Sequence, residues 1–147
     1  LVAGEAAALG LDPAGAPAEE ALLPDLTARL ELGSVACAAL ASPAARALFA
    51  EVTRPVTVTG DELAAYHHRN PWRFARLVPD AHGWLRLPAE PPPLDEVRDA
   101  VREHLLGAAR RRAFRTWLDA RHAALVELAT GYEHPGDPRQ PDNTHRH

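Results

Sequence analysis

After Pro91-Pro92-Pro93 the chain runs from Leu94 to Leu128 without another proline, and within that span only Gly107 weakens a helix. Leu94, Val97, Val101, Leu105, Ala108, Phe114, Trp117, Leu118, Leu125 and Leu128 recur mostly at three- and four-residue spacings. That spacing lays them along one stripe of an α-helix. At 1.5 Å per residue the helix is ~50 Å long. In a chain of 147 residues it must lie across most of the other elements or extend beyond them as an arm. The three prolines form a stiff lead-in, and Gly131 is the predicted stop.

Composition agrees with a mainly α fold. Thirty residues are alanine, all sixteen basic residues are arginine, and isoleucine, methionine and lysine are absent. Alanine, leucine, arginine and glutamate favour helix. Nine valines and no isoleucine are a poor basis for a large β-sandwich. Alanine, arginine and proline rise together, as in a GC-rich genome. No run is apolar enough for a membrane-spanning helix. The single cysteine, Cys37, excludes an internal disulfide. Its neighbours are small and apolar, so it reads as a core hydrophobe and not as a nucleophile.

A net charge of −4 argues against a generic nucleic-acid binder. The charge is uneven: residues 1–62 carry nine acids and three arginines, residues 63–147 eleven acids and thirteen arginines. The densest basic group is Arg110, Arg111, Arg112, Arg115 and Arg121. It reads as a solvated helix face with intrahelical ion pairs, a contact to RNA or phosphate being the weaker alternative.

Local signals divide the rest of the chain. Residues 1–9 read as a helix end stopped by Gly10, and a Pro/Gly-broken connection follows. A helix is predicted from Pro24 or Asp25 to Leu40, apolar on more than one face and therefore central. Ser42-Pro43 opens the next, with Ser42 as its N-cap, and that helix ends before Pro55. Val56-Thr57-Val58 and Trp84-Leu85-Arg86-Leu87 are predicted as short strands that pair with each other. Thr59 and Glu62 have the spacing of a capping box, opening a helix through Tyr66 to about Arg69. Asn70-Pro71 caps a further turn with Trp72 and Phe74. Tyr66, Trp72 and Phe74 are predicted to cluster, either as the hinge packing of two short helices or as a peptide-binding aromatic surface. The expected organisation is a helical domain over residues 1–131, with at most a short two-stranded pairing. A polar, His/Pro-rich tail follows over residues 132–147.

Three segments, in this order, resemble the chaperone module of the SurA/PrsA-like, parvulin-type foldases. Leu1 to Leu11 is similar to the end of that family's N-terminal helix. Val56 to Phe74 is similar to the stretch preceding its isomerase domain, with Val58, Thr59, Glu62, Tyr66, Asn70, Pro71 and Phe74 matching. Pro93 to Leu106, continuing to Trp117-Leu118, is similar to its long C-terminal helix. The resemblance implies a chaperone- or foldase-related domain that binds a polypeptide client or partner protein, with Tyr66, Trp72, Phe74 and Trp117 as binding residues. It also implies that the family's first strand and helix would precede Leu1. Only about sixteen residues, Ala75 to Glu90, separate Phe74 from the prolines. They cannot hold a parvulin domain, so prolyl isomerase activity is not expected.

Other chemistry is sparse. Eight histidines are present. His145-Arg146-His147 is a His-x-His pair whose rings share one side of an extended chain, and His134 lies nearby. With Glu133, Asp137 and Asp142 as oxygen donors, these three histidines are the candidate ligands for a divalent metal, the only cofactor considered. The alternative is a solvated polar tail. His67 and His68 complement a helix C-terminus. His104 and His122 share a helix face but are too far apart to chelate one ion. The nucleophile elbow, phosphate loop, dinucleotide loop and zincin motif are all absent, so no catalytic residue is assigned. Two further readings stay open. One is a metal-binding accessory protein using the tail. The other is a structural or assembly subunit, self-associating or docking on a partner through the long helix and tail. No signal-peptide pattern is visible in the chain as it stands, and the location stays unassigned, with the cytoplasm slightly favoured.

Overall fold

The computed structural model describes residues 1–125. It is mainly helical: α1 (Val2–Ala8), a 3-10 turn (Pro13–Gly15), α2 (Glu19–Leu22), α3 (Leu26–Leu32), α4 (Ser34–Ala39), α5 (Pro43–Val52), α6 (Gly60–Arg69) and the long α7 (Leu94–Leu125). Two short strands, β1 (Val78–Pro79) and β2 (Leu85–Arg86), pair antiparallel between α6 and α7. The tail and the 131/132 domain boundary lie outside the described residues.

α7 spans ~48 Å and carries two separate apolar clusters. Near its start, Val97 and Val101 pack on Leu63 of α6, with Val58, Tyr66, Phe74, Leu94 and Leu105 at the margin. Further along, Phe114 enters a larger cluster with Ala6, Leu23, Leu32, Ala36, Leu40, Ala45, Leu48 and Phe49. The Phe49 and Phe114 rings lie 5.0 Å apart, and Trp117 stacks on Phe114 at 5.7 Å. The long helix is therefore a spine that two packing units share, and each unit buries one end of its stripe.

Caps set the short helices. The Asp25 carboxylate accepts from the Ala28 N–H at 2.8 Å to start α3. Thr59 and Glu62 form the reciprocal capping box of α6: Glu62 Oε2 accepts from the Thr59 N–H at 2.7 Å, and Thr59 Oγ1 from the Glu62 N–H at 3.2 Å. These bonds, the backbone one foremost, hold the Glu62 carboxyl below the usual value. Ser42 takes the N-cap position of α5 ahead of Pro43, but its side chain makes no capping bond.

Four sequence expectations need correction. The single helix over 24–40 is two helices, because Gly33 adopts φ 90°, a conformation that L side chains rarely take. The segment is also not buried on more than one face: Ala28, Leu32 and Ala36 are buried, whereas Leu26, Leu30 and Val35 are at least 70% exposed. Val56–Val58 forms no strand; Val58 packs against Leu63, and Trp84–Leu87 finds its partner in the nearer Val78-Pro79. Finally, the arginines of α7 are not one solvated face. Arg111 is buried, its Nε donating to Glu31 Oε2 at 2.9 Å and its Nη1 to the Leu22 carbonyl at 3.2 Å. Arg115 reaches the Glu31 carbonyl at 3.3 Å, and Arg121 pairs with Glu5 of α1 at 2.8 Å. Three arginines thus tie α7 to α1 and α3 across the chain.

Candidate functional site

The segment between Phe74 and Pro91 folds as a hairpin arm. Asp80 builds its turn. The Asp80 N–H donates to the Trp84 carbonyl at 2.8 Å, and the Gly83 N–H donates back to the Asp80 carbonyl at 3.0 Å. Asp80 Oδ1 accepts from the His82 N–H at 2.8 Å and the Trp84 N–H at 3.0 Å, while Oδ2 accepts from Arg86 Nε at 2.7 Å. Gly83 closes the three-residue loop at φ 82°, as this turn-plus-bulge geometry requires. Val78 pairs with Arg86 and Pro79 with Leu85.

The arm buries almost nothing of itself. Leu77, Val78, Trp84, Leu85 and Leu87 are all exposed, Trp84 by 71%. So many large apolar side chains left exposed on one short segment, on both faces of the ribbon, mark a surface for a partner. Asp-x-x-Gly-Trp between two apolar runs was the signal that could have located this arm from sequence. Pro79 hid it, because proline within a run argues against a strand.

Where the arm joins the helices, Tyr66 and Phe74 flank His104 of α7, with ring centroids 5.2 and 5.8 Å away. Arg73 lies over the Phe74 ring at 5.4 Å. Burial first, and then the Arg73 guanidinium, hold the His104 imidazole below its ordinary pKa. Next to Tyr66 on α6, His67 Nε2 lies 2.9 Å from the Pro92 carbonyl and pins the proline lead-in to α6. A cleft of about 400 Å³ opens between α3 and α7, lined by Asp25, Glu31, Arg73, Glu103, His104 and Arg111 among others. Its charges are mixed, and its most buried member, Arg111, already has partners in Glu31 and Leu22.

Of the four residues expected to bind polypeptide, the structure brings Tyr66 and Phe74 together around His104, both half-buried. Trp72 stands apart and exposed, and Trp117 belongs to the other cluster, on Phe114. His134, His145 and His147, the expected metal ligands, lie outside the described residues. Among the described residues no group of three His, Cys, Asp or Glu side chains is placed to hold a metal ion. None of the described helices is long and apolar enough to cross a membrane. Cys37 is half-buried against the larger cluster, its Sγ 3.3 Å from the Arg29 carbonyl. Comparison with family models, with curated proteins and with solved structures finds no match for this chain.

Proposed function

We propose that the chain is a polypeptide-binding domain of chaperone- or foldase-related type, without prolyl isomerase activity. The observation that carries this reading is the hairpin arm, which presents five large apolar side chains to solvent between Leu77 and Leu87. Three of them, Leu77, Leu85 and Leu87, fall on one face of the ribbon by its register, and such exposure supports a surface made to be covered. The resemblance of residues 1–11, 56–74 and 93–118 to the SurA/PrsA-like module supports the same reading. The arm occupies the place in the chain order where those foldases carry their isomerase domain. Trp72, also exposed, precedes the arm in the chain. Tyr66 and Phe74 pack on His104 of α7.

The test is suppression of aggregation of a chemically unfolded client, with prolyl isomerisation of a proline-containing peptide measured in parallel. The protein should delay aggregation at near-stoichiometric ratios and leave the isomerisation rate unchanged. A Trp84→Ser, Leu87→Ser double variant should lose most of the delay while keeping its helical spectrum. No binding of client or peptide by the wild-type protein overturns the proposal, and accelerated isomerisation overturns its second half.

A further inference from the structure

Resting on the polypeptide-binding reading, we infer how the arm binds: the outer edge of β2 accepts an extended client segment as a third strand, preferring apolar segments that also carry an acidic residue. The register decides which edge is open. Antiparallel ladders alternate hydrogen-bonded and non-bonded pairs. The Asp80 N–H bonds to the Trp84 carbonyl, so the next pair, Pro79 with Leu85, is the non-bonded one. Both residues therefore turn their backbone groups outward. On β1 the outward group is a proline nitrogen, which has no hydrogen to donate, so that edge is blunted. On β2 it is Leu85, whose N–H and C=O both face out.

Side-chain alternation matches the edge. Pro79 and Leu85 share one face of the ribbon, and the same register continued by two residues adds Leu77 opposite Leu87. All three leucines are more than half exposed. A two-stranded ribbon alone is marginal in water, and a third strand or a covering partner supplies what it lacks. Strand addition satisfies the edge with main-chain bonds and reads alternate side chains on the apolar face.

Size and charge select the occupant. An edge of about four residues spans ~13 Å, and such a contact falls far short of the ~1,000 Å² that a specific dimer needs. The edge therefore suits a transient extended segment better than a second copy of this chain. Arg76, exposed just before Leu77, has no carboxylate partner among the described residues. It gives the base of the arm a positive charge that favours an acidic residue in the incoming segment.

The experiment measures fluorescence anisotropy of labelled ten-residue peptides with alternating leucine and threonine and one glutamate, titrated with the full chain. N-methylation of alternate peptide amides, in the frame that would face β2, should weaken binding at least tenfold. Leu85→Pro, which copies on β2 the blunting that Pro79 gives β1, should weaken it by a similar factor, and Leu85→Ala by clearly less. Replacing the peptide's glutamate with lysine should weaken it further, and Arg76→Gln should erase that preference. Equal binding of both methylation frames and of the unmethylated peptide overturns strand addition while leaving the polypeptide-binding reading standing. No peptide binding at all overturns both. A dimer in light scattering that competes with peptide places a second copy on the edge and overturns the choice of occupant.

Discussion

Asp80→Ala should melt the arm and leave the helices untouched. The carboxylate accepts from two backbone N–H groups, those of His82 and Trp84, and from Arg86 Nε. Each backbone bond contributes about 0.5–1.5 kcal/mol net, and an exposed ion pair about 0–1 kcal/mol. Their joint loss is then roughly 1–4 kcal/mol, a shift of ~5- to ~900-fold in the arm's opening equilibrium. The arm has little to offset it, since an isolated ribbon is near the margin of stability and its apolar side chains are exposed. The helical body shares almost none of these bonds. The measurement is nuclear Overhauser contacts between Val78 and Arg86, alongside thermal unfolding followed by helical circular dichroism. The variant should lose the cross-strand contacts and keep a midpoint within about 2 °C of wild type, because local opening is far below global unfolding in free energy. Asp80→Asn keeps an acceptor for the turn and should retain most of the contacts. Persistence of the Val78–Arg86 contacts in Asp80→Ala, or a large fall in the helical midpoint, would refute the reasoning.

Other expectations concern the body. Arg111→Met removes both bonds of a buried guanidinium and should cost about 2–4 kcal/mol in urea unfolding; adding Glu31→Leu should recover at least ~1 kcal/mol of it, and a single-variant loss below ~0.5 kcal/mol would contradict the role given to the pair. Gly107 leaves room for that guanidinium, since a Cβ there would sit 3.1 Å from Arg111 Nη1. Gly107→Ala should therefore gain little in the wild type but close to the ~1 kcal/mol helix-propensity benefit in the Arg111→Met background; equal gains in both would reject the packing argument. His104 has its folded pKa held below the ordinary 6.5, so between those two values the unfolded chain binds more protons than the folded one. Its contribution to stability is thus intact above pH 6.5 and falls as the pH drops from there toward the lowered value. His104→Gln should flatten that part of the stability–pH curve, and an unchanged slope in denaturant titrations would count against it.

Much of the fold was legible because it is local. The Thr59–Glu62 box, Pro43 at the start of α5, the proline lead-in and the unbroken stretch after it each act over a few residues, and each places an element boundary in the structure. A helix tolerates glycine, so the predicted helix from Pro24 or Asp25 to Leu40 runs through Gly33 unbroken; that Gly33 instead turns the chain at φ 90° depends on what α3 and α4 pack against. The aromatic cluster was half right in placement: Tyr66 and Phe74 do meet, but around a histidine supplied by α7 some thirty residues later. The arginines of α7 looked alike in sequence, and only the approach of α3 separated buried Arg111 from exposed Arg112.

By itself, the sequence determined that this protein is mainly helical, built on one long C-terminal helix with a short strand pairing, since periodicity, caps and propensity are properties of neighbouring residues. Only the tertiary structure decided which strands pair, which faces of the helices are buried and which apolar side chains remain outside. Those outcomes depend on contacts between residues far apart in the chain, and exposure of Trp84 or burial of Arg111 is a property of what surrounds them, not of what they are.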